Sequence, residues 1–343
     1  MTYYVAALRI AVGVFNEGWQ MAGVRHIIEK LLGLSPPSRA HAPAPARYAL
    51  WSIGLFTGSS PLALAPDAAI TNPIITRDSI TDVDASFVAD PFLIRANGVW
   101  HLFFEVLNRS NGRGEIGLAT SADLARWQYD RIVLAEPFHL SYPFVFEWQG
   151  ERYMMPESHD AGAIRLYRAD AFPHRWTHVH TLLTGSPFSD STLVLHDERW
   201  WLFTHISRDG KHDSLRLFFA DDLFGAWTEH PASPIVNHDP HSARPAGRFI
   251  RAGDTLLRFA QDCAPRYGLR VMGFEITTLT TTEYAERPVS PAAILHGSST
   301  GWNADRMHHV DAHAVGSGQW VAAVDGAFNT TRADIDGALD AQR

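Results

Sequence analysis

The sequence predicts an all-β fold: a five-bladed β-propeller preceded by a short β-α appendage. Three observations indicate it: strand patterns dominate after the N-terminus, a hairpin unit recurs five times, and no long amphipathic helix interrupts them. Four strands per unit at a spacing of roughly fifty residues are typical of propeller blades. A β-sandwich with coincidental repeats is the alternative, and the common register of the repeats disfavours it.

The first repeated piece is a hairpin with polar residues fifteen positions apart. Its first copy, ADPFLIRANGVWHLFFE (Ala89 to Glu105), contains an Asn-Gly turn, a strong hairpin signal. The copies that align with it begin at Ser141 and Ser189, and looser copies begin at Ala243 and Val310. In the three closest copies an early residue and a strand-end residue form a pair: Asp90 and Glu105, Tyr142 and Glu157, Asp190 and His205.

The second repeated piece is a strand, a short Ala-Asp turn and a tryptophan that opens another strand. It occurs three times, with a looser fourth copy from Leu269 to Val289; the recurring tryptophans are Trp127, Trp176 and Trp227. Five hairpins therefore have only four second halves after them. The segment from Trp51 to Pro66 resembles the missing half. We predict that it completes the fifth blade after Asp325, which would leave the ring without an exposed sheet edge.

The predicted domain bounds follow from these repeats and from composition. Residues 1–34 are expected to form the appendage, a strand followed by a segment with helical periodicity. Residues 35–46, SPPSRAHAPAPA, are typical of an extended Pro/Ala linker. The propeller is predicted to span residues 47–329, and residues 330–343 to form a C-terminal tail.

Composition excludes several classes of partner. The formal charge of −8 argues against nucleic acid. Cys263 is the single cysteine, which excludes a disulfide framework and favours a reducing cytoplasmic location. No apolar run approaches the roughly 20 residues that span a bilayer, so no membrane span is expected. The start of the chain lacks a basic n-region, and we interpret it as structure rather than a signal peptide.

The first strand of each propeller blade lines the central channel, so equivalent residues of the five blades should converge on its axis. Here these residues are Asp90, Tyr142, Asp190, Arg244 and Asp311. Such crowding of charges raises carboxyl pKa values and is typical of functional sites. The strand-end partners are expected to add a second polar layer: Glu105, Glu157, His205, Gln261, Asp262 and Asp325.

Paired carboxylates in an axial pocket suit chemistry at a glycosidic bond, where one acid protonates the leaving oxygen and another acts as base or nucleophile. We expect Asp90 to be the base, with Glu157 and Asp190 competing for the general acid. Each of these three residues could instead have a purely structural role. Asp90 could cap a turn, Asp190 could bond to nearby backbone, and Glu157 could pair with Arg244 or Arg248.

Histidines and arginines supply the other candidates. In MHHVDAH, strand alternation would place His309, Asp311 and His313 on one face, where they could hold a divalent cation, a substrate hydroxyl or phosphate, or one another. Arg244 and Arg248 could clamp a carboxylate or phosphate, or pair with the channel acids. The predicted substrate-binding residues are Glu105, Tyr142, His205, Arg244, Arg248, Asp262, His309 and Asp311.

Long motifs in the propeller region closely resemble the N-terminal domain family of plant glucosamine inositolphosphorylceramide transferases, and we expect the chain to be a bacterial member. The motifs include FVADPF, HLFFEVLN, EPFHLSYPFVF, YMMPES, ARPAGR and MHHVDAH. The resemblance extends from Arg47 to Gly326 and implies a five-bladed propeller similar to glycoside hydrolase families 43, 32 and 68. The resemblance implies that glycosyl transfer in the plant enzymes belongs to a separate domain, which we do not expect within this sequence.

The resemblance to family 43 also implies residue roles. Asp90 matches the base of the first blade, and Asp190 lies where the third-blade acid is usually Glu. The second-blade position is Tyr142 or Pro143 instead of Asp. A channel cation, calcium in the first instance, would lie near a fifth-blade histidine, either His309 or His313.

Three functions are therefore expected to compete. The first is a carbohydrate-active enzyme that hydrolyses or transfers a glycosyl unit of a carbohydrate or glycoconjugate, using Asp90, Glu157 and Asp190. The second is a non-catalytic glycan-binding propeller. The third is an auxiliary domain that partners a glycosyltransferase or formyltransferase in surface-polysaccharide synthesis.

Overall fold

The computed structural model describes residues 47–206, 210–316 and 318–331. These residues form 23 strands and three short 3-10 turns, and they contain no α-helix. The predicted appendage at 1–34 and the linker at 35–46 lie outside the described residues, as does the tail beyond Thr331. No helix among the described residues is long and apolar enough to cross a membrane.

The strands, numbered in chain order, form five antiparallel sheets. The chain opens with β1 (Arg47–Ser60) and β2 (Ala63–Pro66). Blade 1 contains β3 (Ala85–Ala96), β4 (Val99–Asn108), β5 (Arg113–Ser121) and β6 (Gln128–Leu134). Blade 2 contains β7 (Ser141–Trp148), β8 (Glu151–Glu157), β9 (Ala163–Ala171) and β10 (Arg175–Thr184). Blade 3 contains β11 (Phe188–His196), β12 (Arg199–Ile206), β13 (Ser214–Ala220), β14 (Thr228–Glu229) and β15 (Val236–Asn237).

Blade 4 contains β16 (Arg244–Pro245), β17 (Ile250–Ala252), β18 (Thr255–Asp262), β19 (Arg270–Leu279), β20 (Tyr284–Pro288) and β21 (Leu295–His296). The last two strands are β22 (Val310–Gly316) and β23 (Gln319–Thr331). The 3-10 turns are Arg77–Ser79, His159–Ala161 and Gly301–Asn303. The predicted five-bladed propeller is confirmed.

Blade 5 closes the ring with strands from both ends of the propeller. Its strand order is β22-β23-β1-β2. β1 pairs with β23 in an uninterrupted antiparallel ladder from Arg47 opposite Thr331 to Gly58 opposite Trp320. The N-terminal half-blade therefore completes the blade that begins after Arg306, as the missing repeat predicts.

The recurring tryptophans close the turns before the outer strands. The indole N–H of Trp127 donates to the carbonyl of Leu124 at 3.0 Å, and that of Trp176 donates to the carbonyl of Pro173 at 2.9 Å. Each ring also packs against an apolar cluster between blades. A buried indole N–H needs such a partner; the bond three residues back supplies it in Trp127 and Trp176, whereas the buried Nε1 of Trp227 has no hydrogen-bond partner among the described residues.

Three inner strands share a bulge in the same place. The register shifts between Ala89 and Phe92 in β3, and equivalent shifts occur in β7 and β11. The bulged residues have left-handed φ angles: Asp90 at 52°, Tyr142 at 45° and Asp190 at 47°. A left-handed residue other than glycine costs about 1–2 kcal/mol, and bulges re-aim side chains. The fifteen-residue register of the sequence therefore marks a strained position that recurs in three blades.

A glycine between blades 4 and 5 provides a test of this packing. Gly247 has a φ of 129°, and a Cβ atom there would lie 1.9 Å from the carbonyl oxygen of Val310. We expect Gly247→Ala to lower the free energy of unfolding by more than about 3 kcal/mol, because backbone strain and a backbone clash add together. Urea unfolding followed by circular dichroism measures it.

Gly253→Ala is the matched control. Gly253 also has a positive φ, 62°, but no atom lies within 4 Å of the position that an alanine Cβ would take there. Only the strain of about 1–2 kcal/mol is expected at this position. Equal losses in the two variants would show that the contact between blades 4 and 5 at Gly247 is not tightly packed.

Candidate functional site

The predicted catalytic acids lie at one end of the channel, where the inner strands begin. Glu157 ends β8 beside the bulge of β11, and its Oε2 accepts the backbone N–H of Asp190 at 2.9 Å. Asp90 occupies the equivalent bulge of β3, close enough for the charges of Glu157 and Asp190 to act on it. The structure therefore brings all three acids into one cluster.

Glu157 and Asp190 form a coupled pair with opposite ionisation tendencies. Burial and then the charge of Asp190 raise the pKa of Glu157 to about 8, against the lowering effect of Arg244. Burial also opposes ionisation of Asp190, but the guanidinium of Arg244 outweighs it and holds the pKa of Asp190 below its usual range. Near neutral pH the pair therefore contains one neutral acid, Glu157, and one anion, Asp190.

Arg244 and Gln261 donate to Asp190, and a side-chain hydrogen bond with Glu157 also favours its ionised form. Arg244 Nε lies 2.5 Å from Asp190 Oδ2, and Gln261 Nε2 donates to the same oxygen at 2.7 Å. Glu157 Oε2 is 3.8 Å from the Arg244 NH2 group. Arg244 thus pairs with the channel acids, which is one of the two roles that the sequence left open for it; the other was to clamp a carboxylate or phosphate.

Glu157 and Arg244 line an open cleft of about 340 Å³. The full lining is Gly112, Arg113, His139, Glu157, His159, Asp160, Ser189 and Arg244. A second cleft of about 290 Å³ contains His212, whose Nδ1 lies 3.1 Å from Arg244 NH1. Arg244 therefore contacts residues of both clefts, and Glu157 is an acid that a ligand in the first cleft would reach.

Asp90 is more enclosed, with an exposed fraction of 5%. Its backbone N–H donates to Asp325 Oδ2 at 3.1 Å, while its own Oδ1 is buried without a hydrogen-bond partner. Burial, followed by the charges of Asp190, Asp325, Glu105 and Glu157, raises the pKa of Asp90 well above its usual range. Its surroundings therefore favour the neutral form of Asp90.

His308 and Asp325 also belong to this cluster; the sequence predicts Asp325 only as a strand-end residue of the second polar layer, and it does not predict His308. His308 Nδ1 lies 2.7 Å from Asp325 Oδ1, and its Nε2 is 3.7 Å from Asp90 Oδ1. The ring of Trp51 stacks on His308 with centroids 4.0 Å apart. Strand alternation selects His309 instead of His308, but it does not apply here because β22 begins only at Val310. Asp325 could have been found from the sequence, because it occupies the strand-end position of the repeated hairpin.

The donor set does not fit the expected calcium. Ligand atoms of Asp90, His308 and Asp325 lie within 4.8 Å of one another. Asp325 Oδ1 already accepts from His308 Nδ1 and from the backbone of His309, and its Oδ2 accepts from Asp90. Calcium takes six to eight oxygen ligands, whereas His308 offers a ring nitrogen and both carboxylate oxygens of Asp325 are already engaged, so Asp90 is the one member of this trio with a free carboxylate oxygen.

The two histidines proposed as metal ligands differ in their surroundings. His309 is fully buried, both ring nitrogens lack hydrogen-bond partners although Nδ1 lies 3.7 Å from Asp90 Oδ1, and burial lowers its pKa to about 4. His313 Nε2 is instead engaged by Asp311 Oδ2 at 2.9 Å. The group of possible metal ligands that the described residues bring together contains neither of these histidines.

Arg248 and Asp311 form a separate, internally satisfied pair. Arg248 Nε donates to Asp311 Oδ1 at 2.7 Å, and its NH2 group donates to the carbonyl of Val145 at 2.8 Å. Asp311 Oδ2 accepts the backbone N–H of Leu93 at 2.6 Å. Burial opposes ionisation of Asp311, but Arg248 outweighs it and holds the pKa below the usual range. These contacts join blades 1, 2, 4 and 5.

The remaining predicted binding residues also have protein partners. The hydroxyl of Tyr142 accepts from the N–H of Gly247 at 2.7 Å and lies 2.8 Å from the hydroxyl of Thr192. Glu105 Oε1 lies 3.2 Å from His139 Nε2. Asp262 is engaged by Arg270 and His241, at 2.7 and 2.9 Å.

His205 is the exception, because one of its ring nitrogens is unpartnered. Nδ1 bonds to the carbonyl of Ser214 at 2.7 Å, and the buried Nε2 has no partner. Burial and the charge of Arg244 lower the pKa of His205 to about 4, so the ring is neutral. Its Nε2 is therefore a hydrogen-bond acceptor near Arg244. Tyr267, which carries no repeat signal, lies beneath the Arg244 guanidinium at 5.0 Å from its ring centroid.

Comparison with known proteins places this geometry in a family. Residues 45–327 match the family described as glucosamine inositolphosphorylceramide transferase 1, N-terminal. Glucosamine inositolphosphorylceramide transferase 1 of Oryza sativa subsp. japonica is 39% identical over 85% of this chain and 42% of the relative. The protein of the same name from Arabidopsis thaliana is 37% identical over 80% of this chain and 39% of the relative.

The chain thus spans about two fifths of the length of these curated relatives. They are plant proteins and give no support to the expected bacterial origin. Among solved structures, an exo-1,5-α-L-arabinanase from a bovine ruminal metagenomic library matches with a TM-score of 0.50 and 10% identity, covering 72% of this chain and 94% of that one. That likeness concerns the fold alone. On the family match and the plant relatives together, the chain belongs to the glucosamine inositolphosphorylceramide transferase 1 N-terminal domain family.

Proposed function

We propose that this chain is a carbohydrate-active enzyme that acts on a glycosidic bond, by hydrolysis or glycosyl transfer, with Glu157 as general acid. One observation carries the proposal: Glu157, with a pKa of about 8, lines an open cleft beside an ionised carboxylate, Asp190. The transferase name of the plant relatives supports a glycosyl substrate.

Glu157 has the property that a general acid needs. A carboxylic acid that keeps its proton near neutral pH can donate it to the leaving oxygen as the glycosidic bond breaks. Asp190 supports this role electrostatically, because its negative charge disfavours a second charge on Glu157. Asp190 itself is occupied by Arg244 and Gln261, so we assign it no direct proton transfer.

Asp90 is the candidate for the second carboxyl group. Its Oδ1 has no hydrogen-bond partner in the described part of the chain, and the carboxyl groups of Glu157 and Asp190 both affect its pKa. Asp90 acts as base or nucleophile in its carboxylate form, which it reaches by releasing its proton to solvent before the reaction; the positive charge that develops on the sugar then stabilises that carboxylate. We also propose a cytoplasmic location, because the single cysteine, Cys263, suits a reducing compartment.

The burial of Asp90 favours a second candidate function. With 5% exposure, its carboxyl group is poorly accessible in the unliganded protein. A non-catalytic propeller would use the same clefts to bind a glycan, or would assist a partner glycosyltransferase or formyltransferase in surface-polysaccharide synthesis. In that case Glu157 would contribute to binding and not to turnover.

The first test compares Glu157→Gln and Asp90→Asn with the unsubstituted chain. A panel of nitrophenyl glycosides, oligosaccharides and nucleotide sugars is screened by thermal shift, and compounds that bind are assayed for product. We expect either substitution to lower kcat by about 10²–10⁴-fold, because each amide retains its size but cannot exchange the proton. Binding should change much less.

Glu275→Gln is the control for the loss of a glutamate charge, since its partner Arg287 is largely exposed. Glu286→Gln would be unsuitable, because Glu286 pairs with the buried Arg258. Turnover in that control should equal that of the unsubstituted chain. Binding of a panel sugar without product, unaffected by Glu157→Gln, would favour the glycan-binding function and reject the enzymatic one.

The second test is the pH dependence of turnover. Because the pKa of Glu157 is raised to about 8, the protonated acid is present below that pH and is lost as the pH rises through it. We expect kcat/KM to fall tenfold per pH unit on the alkaline side of about pH 8. A profile that stays flat to about pH 10 would exclude Glu157 as the general acid.

A further inference from the structure

The guanidinium of Arg244 contacts the two members of the carboxyl pair unequally. Its Nε lies 2.5 Å from Asp190 Oδ2, whereas its NH2 group is 3.8 Å from Glu157 Oε2. Asp190 Oδ2 accepts a second bond from Gln261. Glu157 receives one backbone N–H, that of Asp190. Hydrogen bonds from charged donors stabilise the ionised form of a carboxyl group, so the contacts favour the charge on Asp190.

Two further contacts hold the guanidinium in this orientation. Arg244 NH1 donates to His212 Nδ1 at 3.1 Å, and burial together with the Arg244 charge lowers the pKa of His212, so its Nδ1 is an acceptor. The ring of Tyr267 lies 5.0 Å below the guanidinium carbon. The planar fork of arginine can make these contacts simultaneously, and a lysine ammonium cannot.

We propose that Arg244 is a positioning residue that holds Asp190 as the anion of the pair and thereby leaves the proton on Glu157. The inference rests on the proposed function, because it explains how Glu157 becomes the acid. It assigns Arg244 a role different from the substrate clamp that the sequence suggests, and it adds His212 and Tyr267 as residues that keep Arg244 in place.

The other polar and charged groups around the pair come from every neighbouring element. Burial and neighbouring charges favour the neutral form of Asp90 of β3, Tyr142 of β7 is neutral, and neutral His205 of β12 faces Arg244. His308 favours the ionised form of Asp190. None of these donates to the Asp190 carboxylate in the described residues; its side-chain donors there are Arg244, Gln261 and the protonated carboxyl group of Glu157.

The test measures the carboxyl groups directly, without a substrate. The full chain, labelled with ¹³C at aspartate and glutamate carboxyl carbons, is titrated by NMR, and Asp190→Asn and Glu157→Gln assign the two signals. In the unsubstituted chain we expect Asp190 to titrate first and Glu157 near pH 8. In Arg244→Gln we expect the titration of Asp190 to move upward by about one to three pH units, since an adjacent cation is lost.

Arg244→Lys and Arg287→Gln complete the set. Lysine keeps the charge but not the fork, so the titration of Asp190 should move upward less than in Arg244→Gln. Arg287 pairs with Glu275 on an exposed outer strand of blade 4, and its removal should leave both signals unchanged. His212→Phe keeps a ring but removes the acceptor, and it should move the Asp190 titration slightly in the same direction.

An Asp190 titration that is unchanged in a folded Arg244→Gln variant overturns the proposal. If that variant does not fold, unchanged titrations in both Arg244→Lys and His212→Phe overturn it equally. Turnover decides the proposed function separately. Loss of activity in Glu157→Gln with an unmoved Asp190 signal in Arg244→Gln would retain the general acid and reject the role of Arg244. An Asp190 signal that moves in Arg244→Gln, combined with no turnover by the unsubstituted chain, would retain the role of Arg244 and reject the general acid.

Discussion

The pairing of β1 with β23 is the constraint on which the site depends. This ladder joins the two ends of the propeller, from Arg47 opposite Thr331 to Gly58 opposite Trp320. It also delivers two parts of the site: Trp51 of β1 stacks on His308, and Asp325 of β23 accepts the backbone N–H of Asp90 from blade 1. Without closure, the chain would lose both an edge-to-edge pairing and the wall that encloses Asp90.

Closure of the ring brings acidic side chains close together, and arginines pair with two of them. Arg248 of blade 4 pairs with Asp311 of blade 5 and donates to the carbonyl of Val145 in blade 2, so its side chain links three blades. Arg244 holds Asp190 in a similar manner, but it lines an open cleft together with Glu157. One arginine–aspartate pair therefore serves packing, while the other leaves a neutral acid where a ligand can reach it.

The left-handed bulges explain why acids lie in otherwise apolar strands. The bulge at Asp90 in β3 recurs at Asp190 in β11, and each puts a non-glycine residue at a φ near 50°. Strain of this kind persists when the surrounding structure enforces it, and it is common at functional sites. Tyr142, in the same bulge of β7, bonds to Thr192 and Gly247 and fills space instead of carrying charge. The second-blade departure from the family 43 pattern is thus a packing residue.

The sequence by itself determined the propeller, its five blades and the closure, because these follow from repeats in register and from a missing half-blade. It also predicted that Asp90, Glu157 and Asp190 would lie close together, since equivalent repeat positions converge in a ring. It did not predict His308, which precedes β22 where strand alternation does not hold, or Tyr267 and His212, which lie outside the repeats. Which acid keeps its proton was decided only by tertiary structure: ionisation depends on burial and on the distance to Arg244, and residues far apart in the chain set both.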